Sequence, residues 1–170
     1  IDVSKFNTEN VDRMDGTFNN CYKLTSLDIS KWKAEKVTAM NSMFSNCYSL
    51  KSLDFSNFKP VLASSTYDMF NNCHSLISLD LSTFELTNVY NMEKMFFNCT
   101  SLESLILVNL IGKNAGSISQ MFENCYKLVN LDLSNFEASP RYMSTSFKNC
   151  HSLRTLKINK LKGGDALYPQ

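Results

Sequence analysis

Six cysteines recur through this chain at a nearly fixed interval, and that interval leaves few folds open. They are Cys21, Cys47, Cys73, Cys99, Cys125 and Cys150, separated by 26 residues four times and by 25 at the last step. Other residues keep fixed offsets from them. Phe18, Phe44, Phe70, Phe96, Phe122 and Phe147 lie three before, and Asn20, Asn46, Asn72, Asn98, Asn124 and Asn149 one before. Leucine stands three and six after each cysteine, from Leu24 and Leu27 to Leu153 and Leu156. The copies agree with one another inside a single chain. A period of this size marks an array of stacked units.

One such unit is too small to bury its own apolar face, so the units must stack and share a core, each touching only its neighbours. Leu24–Ile29, LTSLDI, has the LxxLxL strand pattern of leucine-rich repeats. Side chains alternate along a strand, which turns Leu27 and Ile29 inward and Ser26, Asp28 and Ser30 outward. On the other side of the unit, Val37, Met40, Met43 and Phe44 have the spacing of one helical or 3-10 face. The intervening stretches with Pro60 and Pro140 are predicted as outer loops. The expected architecture is an α/β repeat: a leucine-rich-repeat solenoid with one short parallel strand plus a short helical or 3-10 turn per coil. It spans residues 1–162, with 163–170 as a C-terminal tail or linker. Ile1–Phe6 reads as the end of a strand, so the array is expected to begin upstream of it. Lys157, Asn159, Lys160 and Lys162 replace the usual polar pattern at the other end, and charge on a terminal strand discourages edge-to-edge pairing.

Bulk properties exclude several roles. A net charge of +1 gives no strong attraction to nucleic acid or anionic lipid. The longest largely apolar stretch, Leu105–Leu110, interrupted only by Asn109, is strand-sized and far short of the roughly 20 residues of a membrane span. No membrane insertion by this segment is expected, and no signal-peptide pattern opens the chain. No nucleophile–base pair, metal constellation or phosphate loop is visible, so neither an enzyme nor a cofactor is expected.

The repeated polar positions are the candidates for function. One cysteine per coil lacks the short ligand spacing of a zinc site. Stacked cysteines at roughly 5 Å between Cα atoms are not excluded as disulfides, but in-register side chains point the same way, which favours a buried ladder of thiols. Asparagine both donates and accepts and tolerates unusual turn dihedrals, so Asn20 to Asn149 are expected to form a side-chain ladder. Asn98-Cys99-Thr100 matches a glycosylation sequon through that ladder. The methionine positions accept Thr66 and Ile118, as core positions do and metal ligands do not. Tyr22, Tyr48, His74, Tyr126 and His151 share the place after the cysteine, with Thr100 in the fourth coil. This aromatic row either binds a sugar or partner protein or covers the coil edge. Asp28, Asp54, Asp80 and Asp132 form an outward row whose mutual repulsion needs an offset. Hydrogen bonds from flanking serines, a cation, or a basic partner would each supply one. In the fourth coil Ile106 and Val108 replace Asp and Ser, an apolar patch that is either a contact site or drift in a tolerant repeat.

The phrase MNSMFSNCYSLKSLDFSNF, from Met40 to Phe58, resembles the BspA-type leucine-rich repeats of surface proteins, and the likeness recurs in every copy. That resemblance implies an extracellular or cell-surface, adhesin-like binding module whose partner is a host or neighbouring-cell protein or glycan. The alternative is a structural spacer with no specific ligand. The variety of the residues after the first leucine (Thr25, Lys51, Ile77, Glu103, Val129 and Arg154) suits a recognition surface.

Overall fold

The computed structural model describes residues 2–162, so the expected tail at 163–170 lies outside the described residues. The chain winds into stacked coils, numbered here by their cysteines from Cys21 in the first to Cys150 in the sixth. Equivalent residues sit above one another. The LxxLxL segments supply four three-residue strands: β1 (Ser78–Asp80), β2 (Ser104–Ile106), β3 (Asn130–Asp132) and β4 (Thr155–Lys157). β1 pairs in parallel with β2, Leu79 opposite Leu105, and β3 with β4, Leu131 opposite Leu156. In the first two coils the same segment is less regular, although Lys51 N still donates to Thr25 O at 3.2 Å.

The segment before each cysteine departs from the expected helical or 3-10 turn. Among the described residues no helix is found. Two residues per coil, four apart, have left-handed backbone: Gly16 and Asn20, Ser42 and Asn46, Asp68 and Asn72, and so on to Thr145 and Asn149. Alternate amides then do different things. Gly16, Phe18 and Asn20 donate across to the next coil, to Asn41 O, Met43 O and Ser45 O at 2.8–2.9 Å. Thr17, Asn19 and Cys21 close local turns onto Met14 O, Gly16 O and Phe18 O. A helix would spend every amide within its own segment. Here half of them bind the coils together. The apolar spacing that resembled a helix comes from this chain of turns.

The left-handed positions explain the asparagines. In Phe18–Cys21 the turn is closed by Cys21 N donating to Phe18 O, with Asn20 in its third place at φ 63°. A type II turn demands positive φ there, which Gly and Asn supply at least cost. Parallel bridging runs unbroken through this side of all six coils, Arg13–Ala39–Ser65–Asn91–Ser117–Tyr142. The longest backbone ladder therefore lies on the turn side and not along the LxxLxL strands.

Between the two sides lies one continuous core. Phe18, Phe44, Phe70, Phe96, Phe122 and Phe147 stack face to face with ring centres 5.4–5.7 Å apart and planes within 10° of parallel. Met40, Met43, Met69, Met92, Met95 and Met121 are buried beside them. The loops are less peripheral than their composition suggests. Pro60 and Pro140 are buried, as are Ala34, Ala63 and Ala138, so each loop returns a small apolar group to the core.

Asn98 tests the two roles of its column separately, since it also bonds to both neighbours through its side chain. Asn98→Gly keeps the left-handed backbone and loses the side-chain bonds. Asn98→Ala loses the bonds and strains the backbone as well, by about 1–2 kcal/mol. Urea denaturation is expected to rank stability as wild type above Gly above Ala. Equal losses in the two variants would remove the conformational role.

Candidate functional site

The asparagine side chains form a ladder along one rim of the solenoid. Asn46, Asn72, Asn98, Asn124 and Asn149 each donate from Nδ2 to Oδ1 of the asparagine one coil earlier, at 2.6–2.9 Å. The rim is half-buried, with Asn20 exposed at its end. The Asn98 amide nitrogen of the sequon is committed to Asn72 Oδ1.

The thiols run alongside. All six are free; Cys47, Cys73, Cys99 and Cys125 are buried, and Cys21 and Cys150 at the ends are partly so. Cys47, Cys73, Cys99, Cys125 and Cys150 each donate from Sγ to the carbonyl of the core phenylalanine one coil earlier, at 3.1–3.3 Å. Burial holds these thiols in the neutral form: it pushes Cys47 up to about 12 and Cys150 up to about 11, and Cys99 well above its ordinary value.

The aspartate row satisfies itself. Asp2, Asp28, Asp54, Asp80 and Asp132 each accept, at Oδ1, the amide of the serine two residues on, at 2.8–3.0 Å. The Ser30 hydroxyl adds a bond of 2.6 Å to Asp28, and serine donation holds Asp2 and Asp28 below the usual carboxylate value. At the row's end Lys157 Nζ lies 2.8 Å from Asp132 Oδ2 and, with Ser134, holds that carboxyl far below the usual range. Each carboxylate thus turns one oxygen back into its own turn. Among the described residues no three His, Cys, Asp or Glu side chains converge as a metal site.

The aromatic row is exposed in part and split in two. Tyr22 stacks on Tyr48 with ring centres 5.0 Å apart, and Tyr48 meets His74 at 5.1 Å. Tyr126 stacks on His151 at 5.6 Å, nearly parallel. Thr100 separates the two groups and donates from its hydroxyl to His74 O. Ile106 and Val108, 41% and 50% exposed, project from the fourth coil as an apolar patch. Sequence reasoning missed a second capping row: Asn57, Asn109 and Asn135 donate from Nδ2 to Ser30 O, Ser82 O and Val108 O. Its signal was asparagine ten residues after the cysteine in three coils. It also missed exposed Tyr90 and Tyr142, whose equivalent positions in the other coils carry no aromatic residue and so leave no periodic trace.

The thiol column has a pH signature. In the unfolded chain Cys47 ionises near 9.0, while in the fold burial keeps it protonated to about 12. The folded state therefore holds more protons in that window. The column's contribution to stability is complete below about pH 9 and is lost as pH rises towards 12. The urea midpoint of the wild type is expected to fall more steeply there than that of Cys47→Ala; parallel falls would show that the thiol is not held neutral. Iodoacetamide under native conditions should modify Cys21 and Cys150 well before Cys99.

The sequence matches the family described as "Mycoplasma protein of unknown function, DUF285" over residues 1–109 and 64–161. No curated protein matches it significantly. Among solved structures, the chain resembles a leucine-rich repeat protein from Eubacterium ventriosum ATCC 27560, with a TM-score of 0.55 and 19% identity. The match covers 91% of this chain and 35% of that one, so the chain spans about a third of its length. Two overlapping family matches that together run through all the coils, over a solenoid of the same kind, lead to one conclusion: the chain belongs to the DUF285 family and is a leucine-rich-repeat protein of the BspA type.

Proposed function

We propose that the chain is a binding module that recognises a protein or glycan at the cell surface or outside the cell. A leucine-rich-repeat solenoid suits protein binding in general, because a rigid repeated core presents a long outer surface. The observation that carries the reading is a row of unlike side chains on a uniform frame. Thr25, Lys51, Ile77, Glu103, Val129 and Arg154 are stacked by backbone bonds such as Lys51 N to Thr25 O, Ile77 N to Lys51 O and Glu103 N to Ile77 O. All are exposed except Val129, which is half-buried. Packing does not require this variety, whereas recognition uses it. The aromatic row and the patch at Ile106 and Val108 add the kind of side chains that dominate binding energy. The surface location is drawn from the BspA-type resemblance.

A spacer role is the second reading, favoured by one observation. The stacked rings and the serine-capped aspartates already satisfy much of their own bonding capacity. Six coils at about 4.8 Å each would hold flanking segments roughly 30 Å apart.

A screen against immobilised matrix proteins and glycans separates the two. The wild type is expected to bind at least one, and Tyr22→Ala/Tyr48→Ala/Tyr126→Ala to lose that signal while keeping its melting temperature. Binding unaffected by the triple variant would move recognition to another face, and no binding to any probe would favour the spacer. Antibody labelling of intact cells against permeabilised ones tests the surface location.

A further inference from the structure

The net charge of +1 conceals a division along the solenoid. Residues 1–125 hold ten lysines and arginines against thirteen carboxylates. Residues 126–162 hold seven against two, Asp132 and Glu137. Two outward columns change sign at this end. The column of Asp28, Asp54, Asp80 and Asp132 carries Lys157 in the sixth coil, paired opposite Asp132. The column of Glu103 carries Arg154. Both cations are exposed on the side of the solenoid.

Three cations outline one surface. The Arg154 amide donates to Val129 O at 2.8 Å, which seats Arg154 directly beside the fifth coil. Lys157 follows three residues later, about 10 Å on at the rise of a strand. Lys127, on the fifth coil, reaches back to Glu103 Oε1 at 3.4 Å, and Lys157 Nζ to Asp132 Oδ2 at 2.8 Å. These lysine side chains stay 58% and 57% exposed. Exposed ion pairs contribute little and exchange readily for another anion. Among the described residues Arg154 forms no ion pair. The groups that accompany the cations are polar. Asn130, Ser152 and Thr155 are exposed, and the partly exposed rings of Tyr126 and His151 end in a hydroxyl and an imidazole.

We propose that the outer face of the fifth and sixth coils binds an acidic glycan, one that carries sulfate or carboxylate groups, through Arg154, Lys157 and Lys127. This rests on the binding-module reading and names its ligand class. The planar fork of a guanidinium matches the oxygens of such groups. The hydroxyl and amide groups of Asn130, Ser152 and Thr155 serve the uncharged hydroxyls of the sugar chain. Two other polyanions fit less well. A bilayer surface calls for apolar side chains to enter it, and Leu156 is the sole exposed aliphatic residue described in this stretch. A single-stranded nucleic acid calls for free ring faces, whereas Tyr126 and His151 stack on each other at 5.6 Å.

The test separates this face from charge in general. A heparin octasaccharide is titrated into the protein by calorimetry, beside neutral maltoheptaose, oligothymidylate and phosphatidylserine vesicles. The expected result is saturable binding of the octasaccharide, with a dissociation constant on the order of micromolar at about 50 mM salt. Maltoheptaose should not bind. Arg154→Gln/Lys127→Gln should weaken the octasaccharide about tenfold or more at an unchanged melting temperature, and Arg154→Glu should weaken it further. Lys23→Gln/Lys31→Gln removes the same charge from exposed positions of the first coil and should leave binding within about twofold. Absence of octasaccharide binding, an equal loss in both double variants, or tighter binding of oligothymidylate or the vesicles would each overturn the proposal. A matrix protein or neutral glycan from the wider screen that binds Arg154→Gln/Lys127→Gln normally, while the octasaccharide does not bind the wild type, would overturn this site alone and leave the module reading standing.

Discussion

Register between coils is the constraint on which everything else hangs. No coil of about 26 residues encloses its own apolar groups, and half the amides on its turn side find their acceptors only in the next coil. That division of labour depends on left-handed backbone at two places per turn segment. A right-handed helix there would keep its amides to itself and leave the coils joined by packing alone. The turns are locally costly for residues such as Lys94 and Gln120, and the bonds across coils offset the strain.

Once the coils are in register, every column becomes a ladder, and each ladder solves a problem peculiar to its residue type. Phenylalanine rings stack in the core. Buried thiols, whose weak donors would otherwise be idle, point at the phenylalanine carbonyls of the coil before. Asparagines use one amide both to donate and to accept, the pattern a periodic column requires. Aspartates, which repel when stacked, bend back to the serine amides of their own turns. Much of what looks like chemistry in this chain thus takes part in holding the coils and their turns together. Interest shifts to positions that break a column: Thr100 among the rings, Ile106 and Val108 among the outward polar residues, and the unlike side chains from Thr25 to Arg154.

The solenoid, the coil boundaries, the inward leucines and the buried thiols were legible from the cysteine interval, because stacking translates one-dimensional period directly into contact. The columns of Asn20 and Asp28 could be read for the same reason, since identical residues at identical offsets must meet. The turn segment could not. Met40, Met43 and Phe44 have helical spacing whether the backbone is a helix or a chain of turns, and periodicity alone does not separate the two. Asn20, Asn46 and their copies held the clue, as residues suited to positive φ, but their suitability for a ladder explained them equally well.

The sequence by itself therefore determined which residues share a column and which face the core, because those follow from period and hydrophobicity. Only the tertiary structure decided how each column is used. Whether an amide bonds within its coil or to the next, which oxygen of Asp28 turns inward, and whether two rings touch or leave room between them depend on the direction of side chains and carbonyls. Direction is set by backbone dihedrals and by the coil above, and neither is written in spacing.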